Sequence, residues 1–188
     1  MKLKNFQNTD FDRGTSKGVE IAWILCQALL FSTSLPGSGW RRKLLALFGA
    51  QVGQGVVIKP NVRIKFPWRL TLGADCWIGE DVWIDNLAWV SIGSNACVSQ
   101  GAYLCTGSHD WSRSTFDLIT KPIVISDQAW VGAFCKVAPG VTVATGSVCT
   151  MGSVVTKSTG EWEVWAGFPC KKLKERTYYP QGSSVGVI

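Results

Sequence analysis

From residue 52 onward an aliphatic side chain recurs at every sixth position, out of step with the 3.6-residue turn of an α-helix and at three times the two-residue alternation of a strand. The series runs Val52, Ile58, Ile64; after a step of eight, Leu72, Ile78, Ile84; after another step of eight, Ile92, Val98, Leu104. It then breaks, and resumes at Ile125 through Val131, Val137, Val143, Cys149 and Val155. Fourteen of these fifteen residues are Ile, Leu or Val, so chance placement is a poor explanation. One residue later Gly recurs at positions 53, 73, 79, 93 and 132, and four residues later the occupant is usually small, as at Cys76, Ala96, Ala102, Ala129, Cys135 and Ser147.

A hexapeptide is long enough for a short strand and a turn, and three of them close a triangular coil whose aliphatics stack inside. Coils follow one another at the strand spacing, so five give a prism about 25 Å tall. The spacing therefore predicts an all-β chain, a parallel β-helix of about five coils over residues 51–160. The residue before each inward aliphatic points outward, which places Trp77, Trp83 and Trp130 on the outer faces. Outward aromatics mark subunit packing or a ligand groove, and Trp130 is the best candidate for the second.

Composition removes several chemistries. The chain has one His, so a metal site built from imidazoles is excluded, and no metal is expected. Its seven Cys form no C-x-x-C pair; they read as small buried hydrophobes of a reducing compartment. The net charge of +6 comes from scattered basic clusters without a nucleic-acid motif, so no nucleic-acid partner is expected. The first eighteen residues are polar and mixed in charge, unlike a secretory signal.

Residues 1–50 lie outside the repeat. Val19 to Leu35 reads as a helix ended by Pro36-Gly37, and Trp40 to Phe48 as a shorter basic-apolar helix. This segment is read either as a helical cap on the prism or as a peripheral membrane contact through residues 19–48. Between Leu104 and Ile125 the step is 21 residues, so a loop over 110–124 leaves the prism, and the only His, His109, stands where it departs. An imidazole there suits a general base at neutral pH.

At Thr106-Gly107-Ser108-His109 the sequence resembles the left-handed β-helix acyltransferases of the hexapeptide-repeat superfamily, in the galactoside and maltose acetyltransferase branch. The match covers residues 52 to 176. Trp83-Ile84-Asp85-Asn86-Leu87, the run Gln100 to Trp111 and Leu35-Pro36-Gly37 are most similar to acetyltransferases of colanic-acid and other exopolysaccharide pathways. Handedness follows from this resemblance alone, as does a homotrimer with acetyl-CoA bound in the groove between neighbouring subunits.

The resemblance implies an O-acetyltransferase acting on a sugar of an exopolysaccharide precursor, with His109 as general base and direct transfer from acetyl-CoA. The acceptor would be a sugar, a sugar nucleotide or a lipid-linked oligosaccharide, in the cytoplasm or at the inner face of the membrane. Alternatives are an N-acetyltransferase on an amino sugar and a non-catalytic β-helix serving in assembly. Asp85, Asn86 and Trp111 are the expected acceptor contacts, with an orienting contact to His109 as the alternative role for Asp85. Trp130, Gly132, Ala133, Met151, Thr156, Lys171 and Lys174 are the expected cofactor contacts, the backbone N–H near Gly132 and Ala133 steadying the developing charge. Residues 161–188 are expected to form a short C-terminal helix or tail that helps bind CoA.

Overall fold

The computed structural model describes residues 2–178. Fifteen short strands wind into a triangular prism with three parallel sheets as its faces. The first face stacks Gln51–Val52, Leu70–Leu72, Val90–Ile92, Ile123–Ile125 and Thr142–Val143. The second stacks Val57–Ile58, Trp77–Ile78, Cys97–Val98, Trp130–Val131 and Val148–Cys149, and the third stacks Arg63–Ile64, Trp83–Asp85, Tyr103–Cys105, Lys136–Val137 and Val154–Val155. A partial sixth turn adds Glu163–Gly167 to the second face, one step beyond the expected five coils.

Register explains why the period is strict. Ile58, Ile78, Val98, Val131 and Cys149 pair in a single column, and the other faces hold equivalent columns. A slip by one residue would turn a whole column outward. Fourteen of the fifteen repeat residues are buried, and Val52 at the open end is half-buried. The glycines that follow them are required sterically: a Cβ on Gly53 would lie 2.7 Å from Ala74 N, and one on Gly132 would lie 2.6 Å from Cys149 O. Two corners turn through left-handed residues, with Asp75 and Asn95 on one and Asn61 and Asp81 on the next, types that tolerate positive φ.

The first coil would expose an unpaired backbone edge, and the N-terminal segment covers it. Helix α1 (Lys17–Cys26) continues as a wider π turn through Phe31, and α2 spans Gly39–Leu47. Trp23 Nε1 donates to Ile64 O at 2.8 Å, Gln27 Oε1 accepts from Ile64 N at 2.6 Å, and Ser32 Oγ donates to Val62 O at 2.7 Å. Buried Arg41 ties the two helices together by donating to the carbonyls of Phe31, Thr33, Leu35 and Gly37.

Two expectations need correction. The expected loop 110–124 is an antiparallel hairpin that starts earlier and ends sooner: Gly107–His109 pairs with Leu118–Thr120, and the prism resumes at Ile123. Strand pairing satisfies backbone groups that an open loop would leave to water. The expected C-terminal helix is also a hairpin, Glu163–Gly167 against Cys170–Glu175, because its first strand extends the second face and closes the far edge of the prism. Residues 179–188 of the expected tail lie outside the described residues.

Candidate active site

His109 sits in the first strand of the hairpin, directly opposite Leu118. Its ring lies parallel to that of Phe116, with centroids 4.1 Å apart and 2° between planes, and Phe6 meets it edge-on at 5.4 Å. Nδ1 is 2.8 Å from Phe116 O. A carbonyl can only accept, so in the neutral ring Nδ1 carries the proton and Nε2 keeps its lone pair. Phe116 has φ of 55°, a left-handed conformation that costs a bulky residue about 1 kcal/mol or more and turns its carbonyl toward the imidazole.

The hairpin tip is laced by its own polar groups. Asp110 Oδ1 accepts from Ser112 N at 2.9 Å, and Arg113 pairs with Asp110 at 3.4 Å and Asp117 at 3.3 Å. These contacts hold the Asp110 carboxyl below its usual range, chiefly through Ser112. Trp111 projects from the tip, 80% exposed. The N-terminal strap docks alongside, with Lys2 N donating to Ser114 O at 2.9 Å. Between strap and hairpin lies a recess of about 330 Å³ lined by Gln7, Asn8, Asp10, Phe11, Asp117 and Thr120.

Asp85 ends a strand on the third face, beneath the hairpin. Its Oδ2 accepts from Tyr103 O–H at 3.0 Å, and Lys65 Nζ lies 3.2 Å from Oδ1. The partner of His109 Nδ1 is Phe116 O, so the orienting role considered for Asp85 belongs to a backbone carbonyl instead. Asn86 is corrected as well: it is fully buried, accepts from Phe66 N at 2.9 Å and donates to Phe66 O and Arg69 O at 2.7 and 3.1 Å. Its amide is spent bridging coil corners and faces no acceptor.

Trp130 stands half-exposed on the second face, its Nε1 donating to Ser99 Oγ at 2.8 Å. With Trp77 and Cys97 it borders a groove of about 440 Å³. Gly132 N donates to Cys149 O at 2.8 Å, so its N–H is taken by the ladder. The Ala133 N–H has no hydrogen-bond partner among the described residues, so of the two neighbouring amides it is the one left to donate. Met151 is exposed at the next corner.

Thr156 and Lys171 line a separate groove of about 290 Å³ with Lys157 and Trp165. Trp165 is fixed by donating from Nε1 to Glu163 Oε2 at 2.7 Å. Lys172 is tied to Glu163 at 2.7 Å and Glu175 at 2.5 Å, which raises its ammonium pKa. Lys171 and Lys174 are exposed and make no ion pair among the described residues.

The structure thus sets the expected residues at three places, the hairpin, the Trp130 groove and the groove of Thr156 and Lys171. His109 leaves the prism at the corner between the third and first faces, while Trp130 lies on the second face, opposite that corner. Sequence reasoning places Phe116 with Trp111 and Arg113 in a lid over the acceptor and misses its contact with His109, as it misses Phe6 and Trp165. Phe116 acts through a carbonyl that every residue type possesses, and Phe6 and Trp165 meet their partners only after the termini fold back.

No family model matches the chain. Its sequence is 41% identical over 167 residues to WcaF of Escherichia coli, assigned as a colanic acid biosynthesis acetyltransferase, covering 88% of this chain and 91% of that protein. It is 28% identical over 138 residues to the galactoside O-acetyltransferase of Escherichia coli, covering 72% and 68%. In three dimensions it is similar to a hexapeptide-repeat acetyltransferase of Vibrio cholerae complexed with acetyl coenzyme A, with a TM-score of 0.78, 24% identity and coverage of 93% and 97%.

Proposed function

The chain belongs to the hexapeptide-repeat acetyltransferase superfamily, with galactoside and maltose acetyltransferases among its relatives, and on that footing we propose that it acetylates a hydroxyl of a sugar in an exopolysaccharide precursor. The carrying observation is the placement of His109, whose Nδ1 lies 2.8 Å from Phe116 O, which leaves Nε2 as the nitrogen that can face a substrate. Acetyl-CoA supplies a thioester carbonyl open to attack by an oxygen nucleophile.

In this reading His109 Nε2 takes the proton of the acceptor hydroxyl as that oxygen attacks, and returns it to the departing thiolate. The unpaired Ala133 N–H donates to the oxygen on which negative charge develops. Trp130 and Met151 flank the pantetheine arm, Thr156 and Lys171 hold the far end in their shared groove, and Lys174 adds positive charge facing the phosphates. Asp85 and Trp111 remain the acceptor contacts.

His109 and Trp130 occupy opposite sides of one prism, so this reading requires the site to be completed across a boundary between copies. We therefore take the active form to be a homotrimer with three shared sites. The seven free thiols and the choice of donor fit a cytoplasmic reaction.

The test is acetyl-CoA-dependent thiol release with a panel of sugar nucleotides and oligosaccharides, with mass spectrometry locating the added acetyl group. His109→Ala should lower release by roughly 100- to 10,000-fold while the fold persists. Release that survives the substitution removes His109 from the mechanism, and acetyl found on nitrogen selects the amino-sugar alternative.

A further inference from the structure

Helix α1 and its π turn present an unusual outward side. Trp23, Gln27 and Phe31 face the first coil, and the opposite side carries Ile21, Ile24, Leu25, Leu29 and Leu30, each more than half exposed. Ala22 and Ala28 fill the spaces between them, and no charged side chain interrupts the stretch from Ile21 to Phe31. A solvent-facing helix normally turns its polar residues outward, and this one does the reverse. Because the helix closes the open edge of the first coil, this side is the outer sole of the prism.

The charge around the sole is one-sided. Between Gly14 and Ala74 the sequence has eight Lys or Arg and one acid, Glu20, which is paired with Arg13; of the eight, Arg41 is buried and Lys65 is paired with Asp85, and Asp75 follows directly at the first corner. That stretch alone exceeds the net +6 of the whole chain. Lys17 and Lys43 are exposed on the two cap helices, and Lys59 is exposed on the first coil. Two such ends placed face to face would bring like charges together, so a second copy fits the sole poorly. An anionic surface with an apolar interior matches both properties.

We propose that the capped end of the prism docks on an anionic lipid surface, with Ile21, Leu25 and Leu29 entering the headgroup boundary and Lys17 and Lys43 facing the headgroups. No helix among the described residues is long and apolar enough to cross a membrane, and α1 with its π turn measures only about 22 Å, so the contact is peripheral. His109 departs from the third coil, two strand spacings or about 10 Å above the first, which holds the hairpin close to saccharide carried at the surface. The docking is independent of the catalytic reading.

The test is cosedimentation of the full chain with phosphatidylcholine vesicles, with and without phosphatidylglycerol. Binding should need the anionic lipid and fall roughly tenfold from low to high salt. Ile21→Glu with Leu25→Glu should weaken it at least about tenfold while thermal unfolding and thiol release persist. Lys17→Glu with Lys43→Glu, which leaves the apolar sole intact, should weaken it on anionic vesicles, and His109→Ala should bind as the parent does. Failure to sediment with anionic vesicles, or binding that both double substitutions leave unchanged, overturns the proposal. A larger assembly in solution that Ile21→Glu with Leu25→Glu breaks down would also overturn it, assigning the sole to a second copy.

Discussion

His109 and Phe116 are joined twice, ring to ring at 4.1 Å and nitrogen to carbonyl at 2.8 Å. Between them they fix the plane of the imidazole, its tautomer and the nitrogen available to a substrate. Seven residues of sequence separate the two, and the hairpin brings them together.

The ring contact is separable from the carbonyl contact. Phe116→Asn keeps the carbonyl and suits the left-handed φ, but removes the aromatic face. Steady-state kinetics should show kcat lower by roughly five- to tenfold with the KM for acetyl-CoA unchanged, as expected for a base that wanders from its productive geometry. An unchanged kcat would leave orientation to the hydrogen bond alone.

A site shared between copies permits complementation. Co-expression of His109→Ala chains with Trp130→Ala chains should restore about a quarter of the sites in randomly mixed trimers, because one neighbour supplies the imidazole and the other the indole. Thiol release should then exceed that of either variant alone. If each site lies within one chain, mixing restores nothing.

The three neighbouring lysines of the C-terminal hairpin should separate in kinetics. Lys171→Ala and Lys174→Ala should raise the KM for acetyl-CoA roughly three- to tenfold and flatten its salt dependence, since each removes a charge facing phosphate. Lys172→Ala should leave that KM alone, because its ammonium is committed to Glu163 and Glu175.

Asn86→Ala tests a structural assignment. The substitution strands the buried N–H and C=O of Phe66, and urea denaturation should report a loss of roughly 2 to 4 kcal/mol. In the folded fraction the apparent acceptor KM should not change. A selective rise in acceptor KM would return Asn86 to the site.

The inward thiols should be inert in the native state. Burial pushes the Cys76 thiol up to about 12, and raises Cys135 and Cys149 as well. A raised value keeps the group protonated, so at pH 8 the reactive thiolate of Cys76 is about one part in ten thousand. Iodoacetamide should leave these three unmodified in the folded protein and label them in denaturant, read by peptide mass spectrometry.

The prism was legible because its determinants are local and repeated. Each inward aliphatic, each outward Trp and each glycine pressed against the next coil is fixed by its place in a six-residue unit, so composition at a given offset reports burial directly. The lone His at the break in the repeat was legible for the same reason. Asn86 was misread because a carboxylate and an amide where the repeat usually holds a small residue suggested a site contact, whereas its amide serves a corner whose shape depends on Phe66 and Arg69, about twenty residues earlier.

The sequence by itself determined the coil, its inward columns and the place where a base interrupts them, since period and side-chain volume alone decide what can stack. Only the tertiary structure decided that the base is oriented by the carbonyl of Phe116, that the expected loop and the expected C-terminal helix or tail are hairpins, and that His109 and Trp130 stand on opposite sides of the prism. Those outcomes depend on backbone groups and closures between distant segments. Neither is encoded in the type of any one residue.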